Sequence, residues 1–272
     1  MTVITKISVG KKNKNRYNIY IDQGKGEEYG FSVSEDVLIK MNLKKGMEID
    51  QLDVIEIALQ EDIQKGFSQS LNFLAHRMRS EYEIKQYLRE KEYEDHVIKE
   101  VVHKLYHLKY LNDKEFAKAL VSTRINAGDK GPVIILQELR QKGISDEYAE
   151  AAILAYTDQL QIKHATKLIE KLVKNTKNYS AVELKRKIEQ TLARKGFNSY
   201  IIEESFDQID ISQNEDQEWE SLIMHGEKAH RRYSKYIGFE YTQKMKSALY
   251  RKGFSIDLIE RYLQEFQQGI GE

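Results

Sequence analysis

The chain carries a hydrophobic pattern that occurs four times. Four leucines mark it, at successive intervals of 51, 53 and 57 residues: Leu88, Leu139, Leu192 and Leu249. Four residues before each leucine stands another apolar residue: Ile84, Ile135, Ile188 and Met245. Because residues four apart lie on one face of an α-helix, each pair predicts a helix with one side facing a core.

A second apolar stripe follows each leucine. Counting nine, ten, thirteen, fourteen and seventeen residues onward gives twenty positions, and nineteen of them are apolar or aromatic, Ser205 being the exception. These offsets repeat with the period of an α-helix, so the pattern predicts another core-facing helix in each repeat.

The segments between the two helices are also alike. They read "LREKEY" (88–93), "LRQKGI" (139–144), "LARKGF" (192–197) and "LYRKGF" (249–254). A glycine that ends one helix precedes a residue that caps the next in three copies: Gly143 and Ser145, Gly196 and Asn198, Gly253 and Ser255. In the first copy Glu92 and Glu94 take these places, so we expect a weaker or differently shaped turn there.

A period near 50 residues leaves room for a third helix in each repeat. Candidate first helices span 70–77, 114–125, 163–173 and 217–232. "SEYE" (80–83) and "SAVE" (180–183) are capping boxes, and Pro132 suits a first helical turn. The predicted fold is mainly α, an elongated array of four tandem three-helix, helix-turn-helix-like repeats. We place them at 67–112, 113–160, 161–212 and 213–272.

The first 66 residues follow a different pattern. "TKISV", "YNIYI" and "YGFSV" alternate as strands do, and Ser34 suits the N-cap of a short helix, "EDVLIKM". A long helix is expected from about Asp53 toward the first repeat. Residues 1–66 are therefore predicted to form a small three-stranded, β-containing cap.

Composition narrows the classes of function. The chain has 272 residues and no cysteine, which excludes disulfides, thiol catalysis and zinc–cysteine sites. The N-terminus shows no apolar signal-peptide core, and no segment is apolar enough to span a membrane, so we expect a cytoplasmic protein that does not contact membranes.

The formal net charge is zero, but the charges are segregated. Residues 163–195 hold ten Lys/Arg against three Glu, residues 228–252 hold eight against one, and residues 203–220 hold eight acids and no base. Three-helix units with a glycine turn are also typical of DNA readers, but the acidic helix near Glu203 disfavours insertion into a major groove. The alternation favours a partner that carries both signs of charge.

Catalytic motifs are missing from the sequence. It has no Walker loop and no Gly-x-Ser-x-Gly elbow, and "GKGEEYG" (24–30) is typical of a hairpin turn rather than a dinucleotide site. His103 and His107 are four apart, but no third metal ligand is evident. We therefore expect a protein that is not an enzyme and has no cofactor or metal.

Two segments are candidates for binding a partner or DNA. "HRRYSKYIGFEYTQK" (230–244) mixes cations with aromatic residues, as single-strand-binding surfaces and protein interfaces do, although a solvated, partly core-filling loop remains the alternative. "RINAGDKGP" (124–132) places cations around a glycine loop at a helix start, where N–H groups can meet an anion, although an ordinary loop remains the alternative. With the basic turn residues, the candidate set is Arg124, Lys130, Arg194, Lys195, Arg231, Arg232, Tyr233, Lys235, Arg251 and Lys252.

Residues 110–144, "YLNDKEFAKALVSTRINAGDKGPVIILQELRQKGI", resemble the second repeat of the RecX family, regulators of the RecA recombinase. Residues 70–113 and the two later "RKGF" turns resemble that family too, so the similarity covers about 68–268. The N-terminal strands and a fourth repeat are additions to the shorter members of the family.

The resemblance implies a non-catalytic regulator in recombination, DNA repair and the SOS response. Such a protein binds in the groove of the RecA filament on single-stranded DNA and lowers ATPase, strand-exchange and co-protease activity by blocking growth or promoting disassembly. It also implies weak direct binding to DNA, and we expect a monomer. Two alternatives stay open: a helical-repeat protein that binds DNA independently of RecA, and a generic helical scaffold.

Overall fold

The computed structural model describes residues 2–11, 13–175, 179–209 and 215–269, with side chains omitted at 215–217 and 266–269. Within these ranges the chain forms four strands and thirteen helices. The strands are β1 (Thr2–Val9), β2 (Arg16–Asp22), β3 (Glu27–Ser34) and β4 (Glu48–Ile49). The helices of the N-terminal region and first repeat are α1 (Glu35–Lys40), α2 (Gln51–Ala75), α3 (Glu81–Glu90) and α4 (Asp95–His107).

The later helices are arranged in threes. The second repeat has α5 (Asp113–Ala127), α6 (Pro132–Gln141) and α7 (Asp146–Ile153). The third has α8 (Asp158–Asn175), α9 (Ala181–Arg194) and α10 (Ser199–Phe206). The fourth has α11 (Glu215–Tyr233), α12 (Gly238–Tyr250) and α13 (Ile256–Gly269). The predicted mainly helical fold of tandem three-helix repeats with a small strand-containing N-terminal region is confirmed.

The contacts divide the chain into two units. The first comprises 1–118 and 139–149, and the second comprises 119–138 and 150–272. The second repeat contributes residues to both units. No helix in the described part of the chain contains a stretch long and apolar enough to cross a membrane.

The N-terminal sheet is antiparallel, with strand order β3-β2-β1-β4. The prediction of three strands was incomplete, because the short β4 pairs with the start of β1. Alternate residues such as Ile4, Ile19 and Val33 point into a core closed by Val37 of α1 and Ile57 of α2. Alternation of this kind is what gives a sheet one buried face.

A buried carboxylate joins this sheet to α2. Glu61 accepts from Arg16 Nη1 at 2.6 Å and from the backbone N–H of Ser34 at 2.8 Å. Ser34 precedes α1 as predicted, but its side chain makes no cap hydrogen bond. The predicted long helix is confirmed and begins at Gln51, after a capping box formed by Asp50 and Asp53.

All four turns between the second and third helices of a repeat have a similar backbone conformation. The residue at the turn has φ of +62° at Glu92, +73° at Gly143, +89° at Gly196 and +88° at Gly253. The next residue donates its N–H to the carbonyl of the leading leucine, six-to-one as in a Schellman motif. The first turn therefore has the same shape as the others, so the expectation of a different shape at Glu92 was wrong, whereas a weaker turn there stays a prediction.

The caps that follow the turns behave as their side chains predict. Ser145, Asn198 and Ser255 each accept a hydrogen bond from a backbone N–H three residues onward. Glu94 makes no such bond. The exceptional Ser205 is fully buried and donates to the carbonyl of Ile201, so it fits the apolar stripe without an unsatisfied hydroxyl.

Candidate functional site

The glycine turns of the last three repeats each contact the start of a helix in the preceding repeat. We call these contacts the first, second and third junctions, after the turns at Gly143, Gly196 and Gly253. A methyl group at Gly143 would lie 2.5 Å from Cβ of Tyr82, next to the N-terminus of α3. Lys142 Nζ lies 2.7 Å from Glu83 Oε1, so the residue before the glycine adds an ion pair.

The third junction repeats this arrangement. A methyl group at Gly253 would lie 2.8 Å from Ser180 Oγ, which caps α9 and donates to the carbonyl of Lys252. Lys252 Nζ lies 3.2 Å from Glu183 Oε1. Both junctions therefore place a lysine on the glutamate of a predicted capping box, "SEYE" or "SAVE".

The second junction is made by backbone groups. Gly131 donates its N–H to the carbonyl of Lys195 at 2.7 Å, and Val133 donates to the carbonyl of Gly196 at 3.2 Å. Lys195 Nζ donates to the carbonyl of Asp129 at 3.0 Å. The hypothesis that these helix-start N–H groups meet an anion is therefore wrong for Gly131 and Val133, which are already paired.

The same loop is held by a half-buried carboxylate. Glu138 accepts from Arg124 Nε at 2.7 Å and also from Lys130 Nζ. Burial tends to raise the pKa of Glu138, but the hydrogen bonds from Lys130 and Arg124 outweigh it and lower that pKa. Both cations thus stabilise the loop. Whether they also bind a partner stays a prediction.

A cationic cleft lies among α9, α11 and the end of α12, with a cavity volume of about 580 Å³. We call it the basic cleft. Five Lys/Arg side chains line it, together with His225, Tyr233 and one carboxylate, Glu183: Arg186, Lys228, Arg232, Arg251 and Lys252. Four of the ten residues predicted from the sequence, Arg232, Tyr233, Arg251 and Lys252, thus come together.

Helix periodicity explains the wall formed by α11. His225, Lys228 and Arg232 follow one another at intervals of three and four residues, so they project from one face. Ala229 lies between them and leaves room for a ligand. Sequence reasoning missed His225 and Lys228 although this spacing could have found them, and it missed Arg186 because that residue is far away in the chain.

Glu183 neutralises only part of this charge. It pairs with Lys252 at 3.2 Å and lies 3.9 Å from Arg186. Arg251 donates through Nε to the carbonyl of Ser247, a neutral group. Since one carboxylate faces five cations, the basic cleft has an excess of positive charge and favours an anionic ligand.

The other predicted residues of this region lie outside the lining of the cleft. Arg231 is 78 % exposed and lies 3.7 Å from Glu227. Lys235 Nζ lies 5.2 Å from the ring centroid of Tyr236. Arg194 donates to the carbonyl of Gln190. Ile237, the N-cap residue of α12, and Phe239, in the first turn of α12, are 87 % and 80 % exposed, so apolar surface accompanies the charges.

The described ranges contain no metal-binding site. No three histidine, aspartate or glutamate side chains there are placed to hold a metal ion. This includes the helical pair His103 and His107, which lies on α4 in the first repeat.

Family models match most of the chain. The model described as the regulatory protein RecX N-terminal domain matches residues 2–50. The first and second RecX three-helix domains match 67–105 and 112–153. The third matches twice, at 159–205 and 215–263, so the fourth repeat resembles a second copy of the third.

Relatives of similar length agree with these matches. The chain is 46 % identical over 265 residues to the regulatory protein RecX of Bacillus subtilis (strain 168), covering 97 % of this chain and 99 % of that protein. It is 43 % identical over 264 residues to the regulatory protein RecX of Bacillus cytotoxicus, covering 97 % and 98 %.

Solved structures show the same fold. A crystal structure of regulatory protein RecX superposes with a TM-score of 0.69 at 35 % identity, covering 76 % of this chain and all of that one. The crystal structure of RecX from Lactobacillus salivarius gives 0.53 at 37 % identity, covering 56 % and 99 %. With the strand-containing start, the tandem repeats and the full-length similarity in agreement, this chain belongs to the RecX family of regulatory proteins.

Proposed function

We propose that the protein binds the RecA filament on single-stranded DNA and lowers its recombinase, ATPase and co-protease activity. The observation that carries this proposal is the basic cleft, where five cations meet one carboxylate in a chain of the RecX family. A nucleoprotein filament presents phosphates and acidic side chains, so it offers the complementary charge. This partner would place the protein in the cytoplasm.

Inhibition needs no catalytic residue in this chain. A protein that docks along a filament groove favours the spacing of RecA subunits that it binds best. If that spacing differs from the spacing that supports ATP hydrolysis, hydrolysis falls without any contact to the nucleotide. The same preference for one subunit spacing would block growth of the filament or promote its disassembly. The four repeats at the predicted boundaries would each offer a surface to successive subunits, and we propose that one monomer suffices.

The direct test follows ATP hydrolysis by RecA on single-stranded DNA while the protein is added. We expect hydrolysis to fall as the protein approaches equal amounts with RecA. In Arg232→Glu with Arg251→Glu, the half-inhibitory concentration should rise by about tenfold or more, because two cleft cations become acids.

Lys44→Glu with Lys45→Glu is the matched control, since it changes the net charge equally at two exposed lysines outside the cleft. It should inhibit as well as the unaltered protein. No inhibition by the unaltered protein would reject the proposed function, whereas equal inhibition by the cleft variant would reject the basic cleft as the docking surface.

Direct DNA binding is the second candidate, and the same cleft motivates it because Tyr233 lies beside the cations and can stack on a base. It predicts binding to naked single-stranded DNA whose affinity falls steeply with salt, with a log–log slope of about −0.7 for each phosphate contacted. A slope near zero, with RecA inhibition intact, would exclude this candidate and favour the protein-docking mode.

A further inference from the structure

A second charged groove lies in the first repeat, far along the chain from the basic cleft. It runs between α2 and α4, has a cavity volume of about 660 Å³, and is lined at one end by Lys40 of α1. Leu59 and Ile63 of α2 give it an aliphatic floor. We call it the α2–α4 groove.

Its other wall is a stripe of α4. His96, Lys99, His103 and His107 follow one another at intervals of three, four and four residues, so they project from one helix face. Lys104 lines the groove beside them. The sequence pair His103 and His107, which has no metal partners in the described ranges, is therefore part of a longer lysine–histidine surface.

In the described ranges, the lysines of this groove form no direct ion pair with a carboxylate. Lys40 Nζ donates to Gln60 Oε1 at 2.6 Å, and Lys104 Nζ donates to Gln64 Oε1 at 2.7 Å. An amide oxygen accepts a hydrogen bond but leaves the positive charge in place. Among the described residues, none forms a hydrogen bond or ion pair with Lys99. An anion in the groove therefore meets lysines with unneutralised charge.

Three acids lie near these groups and limit the excess. Glu100 lines the groove, Glu94 Oε2 lies 3.3 Å from His96 Nδ1, and Asp36 interacts with Lys104 through space. Burial, more than the charge of Asp36, sets the direction of the pKa of Lys104, which is lowered. Among the lining residues three lysines face one glutamate, so the groove has an excess of positive charge.

The lining distinguishes a peptide from a nucleic acid. Bases bind to single-strand sites by stacking on the broad rings of Phe, Tyr and Trp or on arginine, and the α2–α4 groove has none of these in its lining, where the rings are the smaller imidazoles of three histidines. Its aliphatic floor instead suits a leucine-sized side chain. We propose that the α2–α4 groove binds an acidic peptide segment of a partner protein, with carboxylates on the lysine–histidine rim and an apolar side chain on Leu59 and Ile63.

The test measures fluorescence anisotropy of a labelled peptide of about twelve residues, all Asp and Glu except one central Leu, with the full-length protein. We expect Lys99→Gln to raise the Kd of the peptide by about fivefold to tenfold, because it removes one of the three lysines that line the groove.

The control variant is Arg232→Glu with Arg251→Glu, which changes the basic cleft and should leave peptide binding unaltered. A labelled oligothymidine of similar charge is the competing probe, and a peptide with Ser for Leu tests the floor. The proposal is overturned if Lys99→Gln binds the peptide normally, or if oligothymidine binding, rather than peptide binding, is lost in Lys99→Gln. Equal binding of the Ser peptide would overturn the role of Leu59 and Ile63. These readouts need no RecA, so they stand or fail independently of the proposed function.

Discussion

The first and second junctions use the same glycine turn against different surfaces. At the first junction the turn meets a capping box, and Lys142 pairs with the side chain of Glu83. At the second it meets the loop before α6, and the backbone of Gly131 hydrogen-bonds to the backbone of Lys195. The repeated turn is therefore a contact surface as well as a helix terminator. The preceding repeat decides whether side chains or backbone groups complete the contact.

The backbone contact leaves no room at Gly131. A methyl group there would lie 2.3 Å from the carbonyl carbon and oxygen of Gly196, which cannot move without shifting the turn. We expect Gly131→Ala to lower the free energy of unfolding by about 3 kcal/mol, measured by urea denaturation.

Gly238→Ala is the control for this first prediction. Its φ is +58°, but no atom lies within 4 Å of the added methyl group. It should cost only about 1 kcal/mol, from left-handed strain. Equal losses in the two variants would show that close approach at the second junction contributes little.

The ionic contact of the first junction should contribute less to stability than the backbone contact of the second junction. Glu83 pairs with Arg77 at 2.8 Å and Lys142 at 2.7 Å, and its side chain is 12 % exposed. Glu83→Gln removes both ion pairs, although an amide oxygen can still accept from Ser80. We expect a loss of about 1.5 kcal/mol in urea denaturation, because both cations remain partly solvated. Glu90→Gln, at an exposed position of the same helix, should change stability by less than about 0.5 kcal/mol.

Low pH should abolish the stabilisation that the Glu83 carboxylate provides. Burial raises the pKa of Glu83, but hydrogen bonds from Arg77, Lys142 and Ser80 outweigh it and bring the pKa from 4.5 to about 2. A depressed pKa stabilises the fold above pH 4.5, and that stabilisation is lost as the pH falls toward 2. The stability difference between the unaltered protein and Glu83→Gln should therefore shrink from pH 5 to pH 2, and a constant difference would contradict the assignment.

The smallest effect is expected at the lysine of the second junction. Among the described residues, Lys195 Nζ donates only to the carbonyl of Asp129, and the two backbone hydrogen bonds remain when the side chain is removed. Lys195→Met should cost about 0.5 kcal/mol, against about 1 kcal/mol for Lys142→Met, whose lysine pairs with a carboxylate. A larger loss at Lys195 would reverse the distinction between the two junctions.

Local chemistry made much of this fold predictable. A glycine that ends a helix, a Ser or Asn that caps the next, and the apolar stripes all depend on residues within one turn or two of each other. Glu92 shows the limit of such rules, because the Schellman hydrogen bond from Tyr93 holds it at positive φ without a glycine. β4 was missed because two residues are too few to show alternation.

Contacts between distant residues were not predictable in the same way. Nothing near Gly196 in the chain indicates that its partner is Gly131, and nothing near Arg251 indicates Arg186. Part of the basic cleft was predicted because Arg232, Tyr233, Arg251 and Lys252 belong to basic segments. Whether any of the ten candidate residues binds a partner stays a prediction. The contacts within the chain do not exclude a partner for the six that lie outside the cleft: Arg124, Lys130, Arg194, Lys195, Arg231 and Lys235.

Helix α2 belongs to two cores at once. Ile57 packs with the sheet, while Ile63 and Phe67, on the same 25-residue helix, pack with α3 and α4. The predicted boundary at residue 66 falls inside this helix. If the sheet unfolds, the first half of α2 loses its packing partners and the helix unravels toward the first repeat. The slow amide hydrogen exchange of β1 and of α4 should therefore be lost together under mild denaturant, because the two behave as one cooperative unit.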